Sequence, residues 1–263
     1  MEVVLSIAGS DPSAGAGIQQ DLKTITALGG YGATVITALT TQNTLGVQSV
    51  MPVPPIVVQS QLHAIFSDLD VKAIKIGQIP NVGVAQAIVS ELKDLCNIPP
   101  IVLDPVMIST SGHRLMNEDC IAYVCQYLFP LCQIITPNIP ETQTLLSTNA
   151  TIVSNDAGQE LATLYGTAFL LKGGHADSTT MTDTLYLPNK QIYTFSSERI
   201  ESHNLHGTGC TLSSAIATFI AQGSTLTEAV GKAKQVISVA IRQGKELNIG
   251  HGNGPVWVTM TGK

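Results

Sequence analysis

The six residues His206-Gly207-Thr208-Gly209-Cys210-Thr211 carry the most chemistry in the shortest span. Small residues follow at once (Ser213, Ser214, Ala215), so the segment reads as the start of a helix. Successive amides from Gly207 to Cys210 would then form a nest suited to charge developing on a transferring phosphoryl group. The same helix dipole is expected to lower the pKa of Cys210 and place a basic thiolate beside the anion hole. A small cysteine packing a glycine turn is the bland alternative, which the Gly-Thr-Gly frame disfavours.

Other strand-end segments point the same way, each with a plain structural alternative. Ala8-Gly9-Ser10-Asp11 runs into Gly15-Ala16-Gly17 ahead of a helix, where glycines let the backbone approach a polar ligand or simply close a turn. It is neither a Walker A loop nor a convincing dinucleotide fingerprint. Asn138 and Glu141, three apart after Ile135-Thr136-Pro137, suit a magnesium ion that keeps water and phosphate ligands, or equally a capping box. Lys172, before Gly173-Gly174-His175, could meet a nucleotide phosphate or snorkel ahead of a turn. Asp104, after Ile101-Val102-Leu103, offers a carboxylate or starts a turn with Pro105.

Positioning these residues requires strands that all end on one side. Short apolar runs without polar alternation, separated by segments of helical period, predict a parallel α/β sheet. Buried strands are expected at Val3 to Ala8, Ala33 to Leu39, Ala73 to Ile76, Ile101 to Leu103, Ile134 to Thr136 and Ala168 to Leu171. Ile18, Leu22, Ile25 and Leu28 mark an amphipathic helix stopped by Gly29-Gly30. Further helices are expected over about 54–69, 82–95, 117–129, 155–165, 211–221 and 226–243. Thr40 to Pro54 reads as a flap or edge ribbon, and Thr184 to Ile200 as an antiparallel hairpin. No repeat or linker divides residues 1–263, so one domain is expected.

Composition narrows the partners. With 44% hydrophobic and 12% charged residues, the 263-residue chain can bury a sizeable core. A formal net charge of −6 leaves no electrostatic footprint for nucleic acid or an anionic membrane. No apolar run approaches the ~18 residues of a membrane span. Five cysteines, odd in number and without a Cys-x-x-Cys pair, disfavour a disulfide framework or structural zinc and point to the reducing cytoplasm.

Taken in order, the motifs resemble the hydroxymethylpyrimidine/phosphomethylpyrimidine kinases of thiamin biosynthesis, in the ribokinase-like superfamily. The resemblance runs nearly end to end: Ala8 to Ser13 with Gly15 to Gln19, Asp21-Leu22-Lys23, Val35 to Thr40 with Gln42-Asn43-Thr44, Lys75-Ile76-Gly77, Asp104 to Met107, Thr136-Pro137-Asn138 with Glu141, Lys172 to His175, and His206 to Thr211. It implies a three-layer αβα fold with a small flap, usually homodimeric, that uses ATP and magnesium to phosphorylate a hydroxymethylpyrimidine and then its monophosphate. Cys210, where many relatives have Asp, would be the base for the substrate hydroxyl, and Gly207, Thr208 and Gly209 the anion hole. Gln42 would pair with a ring nitrogen and the amino group of the pyrimidine, while Asp21 and Gly9 would line its pocket. Asp104 and Glu141 would serve magnesium, and Lys172, Asn138 and Thr208 the ATP phosphates.

Three departures from the family pattern stand out. Gln78-Ile79 replaces Met-Leu after Lys-Ile-Gly, which makes Gln78 a candidate substrate contact and selectivity residue. Thr110-Ser111-Gly112 lacks the usual lysine, and Leu205 replaces a Thr. The competing functions are a pyridoxal or pyridoxine kinase, whose substrate also bears a hydroxymethyl arm, and a non-catalytic ligand sensor. Intact Asp104, Glu141, Lys172 and Cys210 oppose the sensor, and no Gly-x-Ser-x-Gly supports a hydrolase.

Overall fold

The computed structural model describes residues 1–108, 115–146, 156–173 and 179–259. In chain order these form β1 (Val3–Ser10), α1 (Gly17–Ala27), β2 (Tyr31–Asn43), β3 (Gly46–Pro52), α2 (Pro55–Phe66), β4 (Val71–Ile76) and α3 (Val82–Lys93). There follow β5 (Ile101–Leu103), α4 (Glu118–Tyr123), β6 (Ile134–Ile135), α5 (Ile139–Leu145), α6 (Ala157–Tyr165), β7 (Ala168–Leu171), β8 (Thr180–Tyr186) and β9 (Ile192–Glu198). The last two helices are α7 (Thr208–Ala221) and α8 (Leu226–Gly244).

All nine strands join one sheet in the order β3-β2-β1-β4-β5-β6-β7-β8-β9. From β2 to β7 the neighbours are parallel, whereas β3, β8 and β9 pair antiparallel at the two edges. Strand order reverses between β1 and β4, and this switch point opens a crevice at the carboxyl ends of the strands. Adjacent residues on a strand serve opposite faces. Leu5, Ile74, Leu103 and Ile135 pack under α2, α3, α4 and α6, while Val4, Ala73, Val102 and Ile134 pack under α1, α7 and α8. That two-sided burial is why the strands read as unbroken apolar runs, and it produces the three-layer αβα arrangement.

Several boundaries differ from expectation. Of the two expectations for Thr40 to Pro54 the edge ribbon is the one formed: β2 continues through Leu39 to Asn43 and turns back as β3 at the sheet edge. The helix expected over 117–129 ends at Tyr123 and continues as a π turn (Val124–Leu128) and a 3-10 turn (Phe129–Leu131). Pro130 explains the change, because it lacks an N–H and its ring would strike the carbonyl of Gln126 in a regular helix. Helix α7 starts three residues before Thr211, since Gly207 adopts φ +84° and lets its carbonyl accept from the Thr211 N–H at 2.8 Å. Among the described residues no helix is long and apolar enough to cross a membrane.

Candidate active site

A cleft of about 1040 Å³ lies over the carboxyl ends of β1 and of β4 to β7. Its lining includes Gly9, Gln42, Gln78, Asp104, Asn138, Glu141, Lys172 and Gly207 to Cys210, so the structure brings these predicted residues together. Gly174, His175 and Thr110-Ser111-Gly112 lie outside the described residues.

Asp21 does not line the cleft, contrary to expectation. Its side chain is 0% exposed and sits below the floor, where one oxygen accepts from Ser214 (2.8 Å) and the other from Ser6 (2.6 Å) and Lys75 Nζ (2.8 Å). The residue that reaches the cleft from this cluster is Lys75, at the end of β4. Burial alone would lower the Lys75 pKa, but Asp21 and the nearby Cys210 and Asp104 outweigh it and keep the ammonium charged.

Cys210 also departs from expectation. Burial pushes its thiol up to about 11, against the pull of Lys75 and of a hydrogen bond from the Gly17 N–H, while Asp21 and Asp104 push it further up. Desolvation therefore overrides the helix dipole. Of the first-turn amides of α7, that of Thr208 is 3.3 Å from the Leu205 carbonyl, and those of Gly209 and Cys210 stand at the helix start beside the cleft.

Polar groups gather at the ends of β5, β6 and β7. Lys172 Nζ meets Asp104 Oδ1 at 2.8 Å, and a parallel bridge between Asn138 and Lys172 carries the β6–β7 pairing past the strands. Burial would lower the Lys172 pKa, but Asp104 and Glu141 reverse the effect. Asn138 and Glu141 form a capping box on α5, with the Glu141 N–H donating to Asn138 (2.9 Å) and the Asn138 N–H donating to Glu141 (2.8 Å). The structural alternative is thus realised, and Glu141 is buried as well. Burial raises its pKa to about 7, with Lys172 lowering and Asp104 raising it. Gly209 closes on the same group: a Cβ there would lie 2.9 Å from Asp104 Oδ2. Among the described residues no three His, Cys, Asp or Glu side chains are grouped so as to hold a metal ion by themselves. The two carboxylates Asp104 and Glu141 on the cleft wall still fit magnesium, which retains water and takes phosphate ligands.

At the other end, Gln78 is 8% exposed and its Nε2 has no hydrogen-bond partner. Its amide fills the space that a Cβ on Gly9 would need, so Gly9 is required for close approach. Gln42 reaches His206, which contacts Asp11. Sequence reasoning also missed the pair Lys234–Asp183 (2.7 Å), which lines the cleft and whose second carboxylate oxygen accepts from the Gly173 N–H (3.2 Å). A lysine on the otherwise apolar face of α8, between Ala233 and Ile237, was the available signal.

Comparison with known proteins gives the context. A model of the family described as phosphomethylpyrimidine kinase matches residues 11–257. The hydroxymethylpyrimidine/phosphomethylpyrimidine kinase of Rhizobium meliloti is 44% identical over 259 residues, 97% of this chain and 96% of that protein. The thiamine biosynthesis bifunctional protein ThiED of Geobacter sulfurreducens is 43% identical over 251 residues, but the chain spans only 51% of its length. Among solved structures, an ADP complex of Bacillus subtilis pyridoxal kinase superimposes with a TM-score of 0.86 at 30% identity, covering 99% of this chain and 98% of that one.

Glu141 provides a test that needs no substrate. Its folded pKa of about 7 exceeds the ordinary carboxylate value, so folding favours the protonated form and stability falls as pH rises from 4.5 through 7. Glu141→Gln keeps the cap and removes the charge. In metal-free buffer it should stabilise the protein at pH 8 by on the order of 1–3 kcal/mol and do little at pH 4.5. Thermal melts at both pH values measure this, and equal effects at the two would refute the buried-charge assignment.

Proposed function

Since the chain belongs to the phosphomethylpyrimidine kinase family, phosphotransferases of thiamin biosynthesis, we propose that its cleft transfers the γ-phosphoryl group of ATP to a hydroxymethylpyrimidine and to its monophosphate. The observation that carries this reading is the position of Cys210, which lies between the amide-rich start of α7, the Lys75 ammonium and the Asp104–Lys172 pair. The related pyridoxal kinase solved with ADP supports ATP as the donor.

The residues divide by chemistry. Lys172, Asn138 and Thr208 hold the ATP phosphates, and the amides of Gly207 to Cys210 receive the charge that develops on the transferring group. Asp104 and Glu141 would hold magnesium, which supplies positive charge for the phosphates when bound. Gln42, Gln78 and Gly9 form the ring end. The substrate hydroxyl oxygen bonds to the γ-phosphorus as the bond to the bridging oxygen breaks, ADP leaves with that electron pair, and the hydroxyl proton passes to the thiolate form of Cys210. Lys75 lies under this point and offsets negative charge at the thiol and the attacking oxygen. The work is positioning and electrostatics within one kinase domain. Five unpaired cysteines favour the cytoplasm, and the open β3 edge, with exposed Leu45, Met51 and Ile56 nearby, favours a homodimer.

A pyridoxal kinase is the second reading, favoured by the structural overlap and by the polar Gln78 in the ring wall. ADP release on hydroxymethylpyrimidine, its monophosphate, pyridoxine, pyridoxal and ribose separates the two. We expect the pyrimidines to lead and ribose to trail; turnover of ribose but neither pyrimidine would sink the assignment. On the same panel Gln78→Met should change the ratio of pyrimidine to pyridoxal turnover, because an unpaired buried donor is costly unless the substrate meets it. Identical constants for both proteins would leave Gln78 without a role.

Cys210 predicts a pH profile. With the thiol at about 11, the thiolate is a minor species at neutral pH and its fraction grows about tenfold per pH unit. Wild-type kcat should rise through the mildly alkaline range, Cys210→Asp should flatten the rise, and Cys210→Ala should lower kcat while ATP still binds. An unchanged alkaline limb in Cys210→Ala would assign the thiol to packing alone.

A further inference from the structure

Two acceptor-side demands meet on one ring atom of His206. Its Nε2 lies 2.8 Å from Asp11 Oδ2 and 3.0 Å from the terminal amide of Gln42. An ionised carboxylate only accepts hydrogen bonds. Independently of His206, Asp11 Oδ1 accepts from the Ser13 N–H (2.8 Å) and hydroxyl (2.7 Å) and Oδ2 from the Ala16 N–H (2.9 Å), which favours the ionised form against burial. His206 Nε2 must therefore carry the hydrogen, shared between Asp11 Oδ2 and the Gln42 amide. It then cannot accept from the Gln42 NH2 group, so the amide atom that faces His206 is the oxygen. Side-chain amide oxygen and nitrogen exchange places by a half-turn, and only the surrounding hydrogen bonds decide between them.

Thr40 favours the same choice, since Ser10 offers its hydroxyl the shorter contact. Its hydroxyl has one hydrogen and donates to the Ser10 carbonyl at 3.0 Å. With that hydrogen on Ser10, the Gln42 amide atom 3.3 Å from the hydroxyl is the donor, the NH2 group. With the oxygen toward His206 and the nitrogen toward Thr40, each contact inside the cluster pairs a donor with an acceptor. The backbone of His206 is itself pinned to the C-terminal segment, its N–H donating to the Gly254 carbonyl (3.1 Å) and its carbonyl accepting from the Val256 N–H (3.1 Å).

We propose that His206, held by Asp11, is a positioning residue that locks the sense of the Gln42 amide and thereby selects the substrate ring. One lone pair of the amide oxygen and one N–H remain for the ligand, in a fixed order along the cleft wall. An amino group next to a ring nitrogen matches that order, whereas a ring with oxygen in place of the amino group presents an acceptor to the amide oxygen. The inference rests on the pyrimidine kinase reading and adds the element that sets its ring discrimination.

The test compares kcat and KM of wild type, His206→Leu, His206→Gln, Gln42→Leu and the double variant His206→Leu/Gln42→Leu on hydroxymethylpyrimidine and pyridoxal. His206→Leu should raise KM for the pyrimidine about tenfold and change that for pyridoxal by less than about threefold. His206→Gln, which keeps an N–H at the end of the side chain, should recover most of the loss. On the Gln42→Leu background His206→Leu should cost no further discrimination. Equal losses on both substrates, or additive losses in the double variant, would overturn the proposal. Imidazole nitrogen-15 shifts of the unliganded wild type give a check free of variants: hydrogen on Nε2 supports the lock, and a bare Nε2 refutes it. A wild type inactive on the pyrimidine would instead refute the kinase reading, and the nitrogen shifts would still decide the lock.

Discussion

The structure depends on an ion pair buried where four elements meet. Lys75 of β4 and Asp21 of α1 are both 0% exposed, and the carboxylate also accepts from Ser6 of β1 and Ser214 of α7. Removing two charges from water costs several kcal/mol per ion, repaid only when geometry and hydrogen bonding are nearly complete. Here every partner comes from a different element, so the pair forms only when α1 and α7 are seated on the switch point between β1 and β4. An apolar cluster of similar volume would fold at least as well. Retaining charge at this depth places an ammonium directly beneath the cleft, and its neighbour there is Cys210.

From that floor the cleft divides into two ends with different physics. The end proposed for the nucleotide is rich in charge: Asp104 and Lys172 act in opposite directions on Glu141, Asp104 and Glu141 both raise the Lys172 pKa, and Asp183 ties the Gly173 amide to Lys234 of α8. Like-charge repulsion between Asp104 and Glu141 is a standing cost that added positive charge would relieve. The end proposed for the ring presents uncharged groups to the cleft from the amides of Gln42 and Gln78 and the bare backbone of Gly9, with the Asp11–His206 pair behind Gln42. Neutral donors and acceptors discriminate by pattern, and stranding one of them costs about 1–3 kcal/mol. Cys210 stands at the junction, where the proposed mechanism places the reacting hydroxyl.

Much of this was legible in the residues. Unbroken apolar runs such as Ile101-Val102-Leu103 required two covered faces and hence a parallel sheet, which in turn directed attention to the residues after each strand. Gly207 announced the start of α7, although the helix begins earlier than Thr211 because a left-handed glycine can supply the first carbonyl. What was not legible was depth. Asp21 has the right type and register to line a pocket, yet Lys75 stands between it and the cleft, and one-dimensional spacing does not order residues along that normal. Cys210 sits at a helix N-terminus as expected, but the sign of its shift is set by how much water remains around it. Asp11 and Gln42 were visible as motif members, whereas their meeting on His206 spans 195 and 164 residues.

The most direct test of the central claim separates the folding role of the buried pair from its chemical role. Stability and kcat would be measured for Lys75→Met, Asp21→Asn and the double variant. Each single change leaves a charge or dipole uncompensated and should cost ~3–5 kcal/mol, and the double variant should regain most of that loss. Its kcat should nonetheless stay ~10²-fold below wild type, because the ammonium under Cys210 is gone. A double variant that is stable and turns over at the wild-type rate would show that the pair serves folding alone.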